Sequence, residues 1–98
     1  MKKRTLESIF GNNPTIIAGA RRIAEEIIMD NGYSTPEDLL SIDEVSDACW
    51  QETWELYAED SEQSYNDVYN VIDFLRNNGW VVNSTLKDIV SIVFQEKL

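Results

Sequence analysis

The stretch NPTIIAGARRIAEEIIMDNG, residues 13–32, decides the fold. Asn13 is a good helix cap, and Pro14 follows at the first helical position, where a missing N–H costs nothing. Ile16, Ile17, Ala20, Ile23, Ala24, Ile27 and Ile28 then recur at helical spacing, and Asn31-Gly32 stops the run.

Outward from this segment the punctuation stays helical. Residues 5–10 form a short first helix before Gly11-Asn12-Asn13. Thr35-Pro36-Glu37-Asp38 repeats the cap-plus-proline signal for a short turn ending near Leu40. Ser41-Ile42-Asp43-Glu44 has the spacing of a capping box and opens a helix carried to residue 59. Ser61 or Ser64 starts the next, with Tyr65, Val68, Ile72 and Leu75 on one face and Asn78-Gly79 as the stop. Trp80-Val81-Val82 is an extended connector, and Ser84 caps a last helix carrying Leu86, Ile89, Val90, Val93 and Phe94. No two segments alternate strictly at period two, no internal repeat occurs, and no linker divides the chain. The expectation is an all-α protein, a single domain over residues 1–98 built as one small bundle of five or six short helices.

With 43% hydrophobic and 10% aromatic residues, these 98 residues are enough for a small core, so the chain reads as globular rather than disordered. A homodimer would add burial. Cys49 is the lone cysteine, which removes any disulfide framework or cysteine metal cluster, and its apolar surroundings predict a packed thiol. Met1-Lys2-Lys3-Arg4 resembles the start of a signal peptide, but Glu7, Gly11, Asn12, Asn13 and Pro14 interrupt any apolar continuation. No run approaches a membrane span. A soluble, cytoplasmic protein is expected (the host cell's cytoplasm if phage-encoded), and the Asn83-Ser84-Thr85 sequon is read as chance.

The charge distribution carries the functional signal. Between Arg22 and Arg76 there is no lysine, arginine or histidine, whereas 15 aspartates and glutamates fall in those 53 residues. Residues 1–22 hold five basic residues and one acid, and beyond Arg76 the signs nearly balance. Trp50, Trp54, Tyr57, Tyr65 and Tyr69 stud the acidic middle, which distinguishes it from a disordered tail. A folding chain that keeps one sign of charge tolerates self-repulsion, and a positively charged partner is the simplest reason; solubility is the alternative.

On a wheel of ~100° per residue over residues 42–59, Val45, Cys49, Thr53 and Leu56 gather on one side, with Trp50, Trp54 and Tyr57 on an adjoining arc. Glu44, Asp47, Glu55 and Glu59 fall opposite, with Glu52 at the margin. Glu37, Asp38 and Asp43 precede this line, and Asp60, Glu62 and Asp67 follow it. A solvated helix face ordinarily mixes signs, because Glu-to-Lys pairs at i,i+4 stabilise it and like charges cost a similar amount. This one has no such pair. A carboxylate row at about one per turn (~5 Å of rise) is comparable to, though sparser than, the phosphates of one DNA strand at about one per 3.4 Å. The expected activity is occupation of a basic DNA-binding channel by these carboxylates. Trp50, Trp54 and Tyr57 are expected in the core, and Trp80 is expected to be the tryptophan left partly exposed at the interface.

Asp38-Leu39, then Glu44-Val45-Ser46-Asp47-Ala48, then Tyr65-Asn66-Asp67-Val68 leading to Asn78-Gly79, resemble the small phage antirestriction proteins that mimic B-form DNA, of the T7 "overcome classical restriction" type. The likeness covers about residues 35–80. That family has a comparable Asp-Leu, an acidic-apolar helix and a Tyr-x-Asp-Ile-type helix. It departs at the family's acidic C-terminal tail, where Glu96-Lys97-Leu98 stands here, and in overall charge density, which is lower here. The resemblance implies a helical inhibitor from a phage or mobile element that fills the DNA site of a host protein, as the family does with type I restriction enzymes.

Enzymatic chemistry finds few materials. Histidine is absent, so the usual general base and the commonest metal ligand are missing. No Gly-rich phosphate loop occurs, and Asp30-Asn31-Gly32 lacks the alternating oxygen ligands of an EF-hand. Glu52-Thr53-Trp54-Glu55 and Glu44-Val45-Ser46-Asp47 have the carboxylate spacings of all-α nucleotide pyrophosphohydrolases, but in reversed order and on one expected helix, where they cannot face each other. Direct nucleic-acid binding is disfavoured as well: Arg76, Lys87 and Lys97 are too few for a phosphate footprint. Neither catalysis, metal, cofactor nor membrane is expected. The expected partner is a basic host DNA-binding protein (restriction, CRISPR, nuclease or nucleoid). The alternative is a small helical interaction module, adaptor or antitoxin-like, that uses an aromatic patch around Trp50, Trp54 and Trp80.

Overall fold

Local chemistry sets the helix ends. In a computed structural model, which describes residues 4–98, the Thr5 hydroxyl accepts from the Ser8 N–H and the Ser8 hydroxyl from the Thr5 N–H, opening α1 (Leu6–Phe10). Asn13 caps α2 (Pro14–Asp30) through the Ile16 N–H, with Pro14 at its first position. Ser61 caps α5 (Glu62–Asn77) through the Ser64 N–H. The two long helices α2 and α5 end alike. Gly32 and Gly79 take positive φ (68° and 79°), which lets the Tyr33 and Trp80 N–H groups reach back to the Ile28 and Leu75 carbonyls. Met1, Lys2 and Lys3 of the basic N-terminal stretch lie outside the described residues.

Six α-helices and one 3₁₀ turn form the bundle, with no strand among the described residues. Helix α2 packs on α5 and on α6 (Val82–Lys97); α4 (Trp50–Tyr57) closes over α5 and α6, and α3 (Asp38–Glu44) lies on α6. The radius of gyration is 12.5 Å, the ~13 Å expected of a single domain of this length. Ile23, Ile27, Ile72, Leu75, Ile89 and Phe94 form the centre of the core, as their periodicity required.

Residues 42–59 do not form the single helix that the sequence suggests. Val45 and Ser46 are extended (ψ 130° and 136°), separating α3 from a 3₁₀ turn at Asp47–Cys49 and from α4. Ser41 lies inside α3 and caps nothing. The reason is on the helical wheel. A continuous helix that buried Ile42 would also bury Val45, Cys49 and Leu56 and leave Trp50 and Trp54 to one side. Breaking the helix lets α4 turn, so that Ile42, Trp50 and Trp54 are all buried. Each indole hides about 150–250 Å², several kcal/mol at ~25 cal/mol per Å², which exceeds what Cys49 and Leu56 offer. Those two pay the penalty: Leu56 is 62% exposed and the Cys49 thiol, expected to be packed, faces outward.

Helix α6 starts two residues before Ser84, whose hydroxyl instead donates to the Val81 carbonyl. Its Asn83 serves another helix: the side-chain oxygen accepts from the Gln51 N–H at 2.7 Å, satisfying an orphan donor at the start of α4.

Candidate interaction surface

Counting charges locates the surface. Each of the six cationic side chains among the described residues has an acidic partner: Arg4 with Asp88, Arg21 with Glu96, Arg22 with Asp67, Arg76 with Asp73, Lys87 with Asp47, and Lys97 with Glu25. Twelve of the 18 acids therefore have no cationic partner among the described residues, and eleven of these lie between Glu26 and Glu62.

Three carboxylates expected on the partner surface are engaged elsewhere. Asp67 is only 5% exposed, gripped by Arg22 Nε and Nη2 at 2.8 and 2.9 Å and by Gln63 Nε2 at 2.9 Å. The Arg22 hydrogen bond holds its carboxyl below the ordinary range against the opposing effect of burial. It joins α5 to α2 and presents nothing to a partner. Asp47 is tied to Lys87 at 3.1 Å. Asp38 turns back on its own loop, accepting from the Ser34 and Thr35 N–H groups, which lower its pKa.

The others divide into two groups. Glu37, Asp43 and Glu44 are exposed at or beside α3. Glu52, Glu55, Glu59, Asp60 and Glu62 follow α4 into the start of α5. The continuous line from Glu44 to Glu59 does not exist, because the break at Val45-Ser46 divides it. Trp80 belongs to neither group. It is half-buried, as anticipated for the most exposed tryptophan, with the Arg4 guanidinium 5.9 Å from its ring centroid. Trp50 and Trp54 are core residues.

Two acids outside the expected set join the α4 group. Glu26 and Asp30, one turn apart on α2, come against the end of α4, where the Tyr57 hydroxyl donates to Asp30 Oδ2 at 2.8 Å. Burial first, and then Asp60, Asp30 and Asp67, raise the Glu26 carboxyl above its usual value. Burial, the Asp30 hydrogen bond and the charges of Asp30, Glu26 and Asp60 raise the Tyr57 hydroxyl strongly. Carboxylates from α2, from α5 and from the turn after α4 thus sit in one another's field.

Beside them runs a groove of about 410 Å³ between α4 and α5, lined by Glu52, Glu55, Leu56, Ala58, Glu59, Tyr65 and Tyr69. The Tyr65 and Tyr69 rings lie 4.7 Å apart at 52°. Tyr69 donates to Glu55 Oε2 at 2.9 Å, the main cause of its raised pKa. Across Leu56 a smaller hollow of about 270 Å³ is bounded by Asp30, Tyr57 and Asp60. The sequence signals for this surface were the i,i+4 pairs Glu26/Asp30 and Tyr65/Tyr69; only the tertiary structure brings them together.

A larger concavity, about 480 Å³, lies elsewhere, between α1 and α2. Its rim cations, Arg21 and Arg22, are already paired with Glu96 and Asp67. Among the described residues no three or more His, Cys, Asp or Glu side chains group to hold a metal ion, and no helix is long and apolar enough to cross a membrane. The Glu44/Asp47 and Glu52/Glu55 pairs lie on separate elements after all, but Asp47 is held by Lys87. No protein-family model, curated protein or solved structure matches this chain.

Proposed function

We propose that this protein is an acidic inhibitor that imitates nucleic acid and binds the DNA-binding surface of a basic host protein, a defence or DNA-processing protein such as a restriction, CRISPR, nuclease or nucleoid factor. The observation that carries this reading is the segregation of charge: five of the six described cations meet acids outside the stretch from Glu26 to Glu62, within which only Asp47 is paired and eleven carboxylates have no cationic partner among the described residues. Glu52 and Glu55 supply about one negative charge per 5 Å along α4, with Glu59 and Asp60 in the turn beyond it and Asp30 and Glu26 alongside. Such a field raises the association rate with a basic cleft and competes with duplex for the same cations. The mechanism is occupancy, not catalysis. The resemblance to antirestriction proteins over about residues 35–80 points the same way, less the contributions of Asp38, Asp47 and Asp67.

A second reading, a protein-interaction module independent of any DNA site, is favoured by one observation: Leu56 and Tyr65 are large side chains more than half exposed on the same face. Trp50 and Trp54 no longer support it, being core residues.

Low-salt pull-down from host lysate, with stepwise salt elution and competition by duplex DNA, separates the two. Mimicry requires a discrete nucleic-acid-binding protein that leaves with rising salt and with added DNA. Glu55→Lys with Glu59→Lys should abolish its capture, whereas Asp47→Ala, which removes a carboxylate already neutralised, should not. A partner that survives high salt and ignores DNA would refute mimicry.

A further inference from the structure

The α4–α5 groove has a composition that the rest of the acidic surface lacks. Its lining is apolar and aromatic at Leu56, Ala58 and the tyrosine pair, and acidic at Glu52 and Glu55 of α4 and at Glu59 of the turn that follows. Glu52 and Glu55, three apart, project along one side of α4, and Glu59 lies just beyond its end. Tyr69 is fixed in place by Glu55, and Tyr65 packs against it with most of its own surface open to solvent. At about 410 Å³ the groove is near the small end of ligand sites, room for one or two side chains and not for a length of duplex.

We infer that this groove is the docking site for an arginine side chain of the basic partner, its stem on Leu56, its guanidinium plane on the Tyr65–Tyr69 pair and its N–H fork on the Glu55 and Glu59 carboxylates. Charge complementarity fixes the sign of the occupant, and the aromatic lining selects among cations. Guanidinium is planar and weakly hydrated, stacks on aromatic faces and bonds carboxylates bidentately; the ammonium of lysine is a strongly hydrated point charge. A nucleic-acid ligand is excluded by sign. This inference rests on the proposed function, and names the place where a diffuse electrostatic encounter becomes a specific one.

The test uses the full chain, ¹⁵N-labelled, titrated at low salt with blocked hexa-arginine and hexa-lysine peptides. Hexa-arginine should shift the amides of residues 52–59 and 65–69 most, and bind more tightly than hexa-lysine. Tyr65→Ala should weaken hexa-arginine about fivefold and hexa-lysine much less, while Tyr65→Phe, which keeps the ring, should restore arginine binding. Tyr65 is exposed, so a circular-dichroism melt should show each variant folded. The inference is overturned if Tyr65→Ala leaves the preference for arginine intact, if the largest shifts fall on Asp43 and Glu44, or if neither peptide binds. In those cases a lysate partner still displaced by duplex DNA would leave the proposed function standing. Conversely, a groove that selects arginine, with no DNA-displaceable partner in the lysate, would support the groove and sink the mimicry.

Discussion

Replacing Asp67 by alanine should destabilise the fold by about 2 kcal/mol and leave the acidic face intact. The carboxylate is buried and accepts three side-chain hydrogen bonds, two of them from Arg22. Removing one partner of a buried ion pair costs about 3–5 kcal/mol when the other charge is left stranded. Arg22 is not stranded, because half of its side chain already meets water. The loss is therefore closer to that of charge-assisted hydrogen bonds, about 1.5–3 kcal/mol, or roughly 10 °C in Tm for a domain of this size. Because the folded-state pKa of Asp67 lies below its unfolded value, the contribution is fully present above the ordinary Asp range near ~4. It fades as pH falls through the lowered folded-state value. Urea unfolding followed by Trp50 and Trp54 fluorescence at pH 7 and pH 2 measures both. Gly19 sharpens the test, since a Cβ there would lie 2.9 Å from Asp67 Oδ1. In the native background Gly19→Ala should destabilise, because that oxygen is held by Arg22 and Gln63 and cannot yield cheaply. In the Asp67→Ala background the same change should stabilise by up to about 1 kcal/mol, the helix preference for alanine over glycine. A loss under about 0.5 kcal/mol for Asp67→Ala, a loss unchanged at pH 2, or the same sign for Gly19→Ala in both backgrounds would refute the clasp; the ~2 kcal/mol scale is that of hydrogen bonds to charged groups.

Glu26 titrates with the opposite sign: its folded-state pKa is raised, so the folded protein takes up its proton first, and stability should rise as pH falls from neutrality toward the ordinary Glu range near ~4.3. Glu26→Gln should remove that part of the rise and gain a few tenths of a kcal/mol at pH 7, on the scale of partly exposed charge interactions, as read by thermal melts from pH 4 to 8. Trp50 and Trp54 bury indole N–H groups with no protein acceptor among the described residues; an orphaned donor costs about 1–3 kcal/mol. Trp50→Phe should therefore cost less in urea unfolding than the ~3–5 kcal/mol usual for truncating a large buried aromatic, because removal of the orphaned donor offsets part of the lost packing, and a cost in that range would refute the offset. Asn83→Ala should cost about 1 kcal/mol by removing the oxygen that caps the start of α4, with faster amide exchange at Gln51 as the local readout.

What the sequence disclosed and what it withheld divide along a physical line. The α2 helix was legible to its caps, because Asn13, Pro14 and Asn31-Gly32 act on neighbouring backbone and need no tertiary partner. The same holds for Ser61 and for Asn78-Gly79 around α5. The break at Val45-Ser46 was not legible, since its cause is competition between two apolar faces for one core, and the winner depends on where α6 lies. That single misreading displaced everything placed on the wheel: Cys49 and Leu56 moved outward, and the carboxylate line split in two. Asp67 failed for a related reason, as nothing near it in sequence shows that Arg22, 45 residues away, will bury it.

The placement of the cations explains how the fold tolerates its charge. Five of the six ion pairs join different elements: Arg21–Glu96 and Lys97–Glu25 tie α2 to α6, Arg22–Asp67 ties α2 to α5, Arg4–Asp88 holds the chain before α1 to α6, and Lys87–Asp47 holds the 3₁₀ turn to α6. No described cation pairs with a residue of α4 or of the turn that follows it. Arg22–Asp67 apart, these pairs are exposed and contribute little stability individually, about 0–1 kcal/mol, so strength alone does not account for where they fall. Their collective effect is geometric: they neutralise the sides of α2, α5 and α6 on which the bundle closes, and leave the repulsion on α4 and the turn after it, whose largest hold on the core is two buried tryptophans. A helix anchored by indoles can carry Glu52 and Glu55, and Glu59 in the turn after it, without a cationic partner, and that is the condition under which a surface can be acidic enough to attract a basic partner and still remain folded.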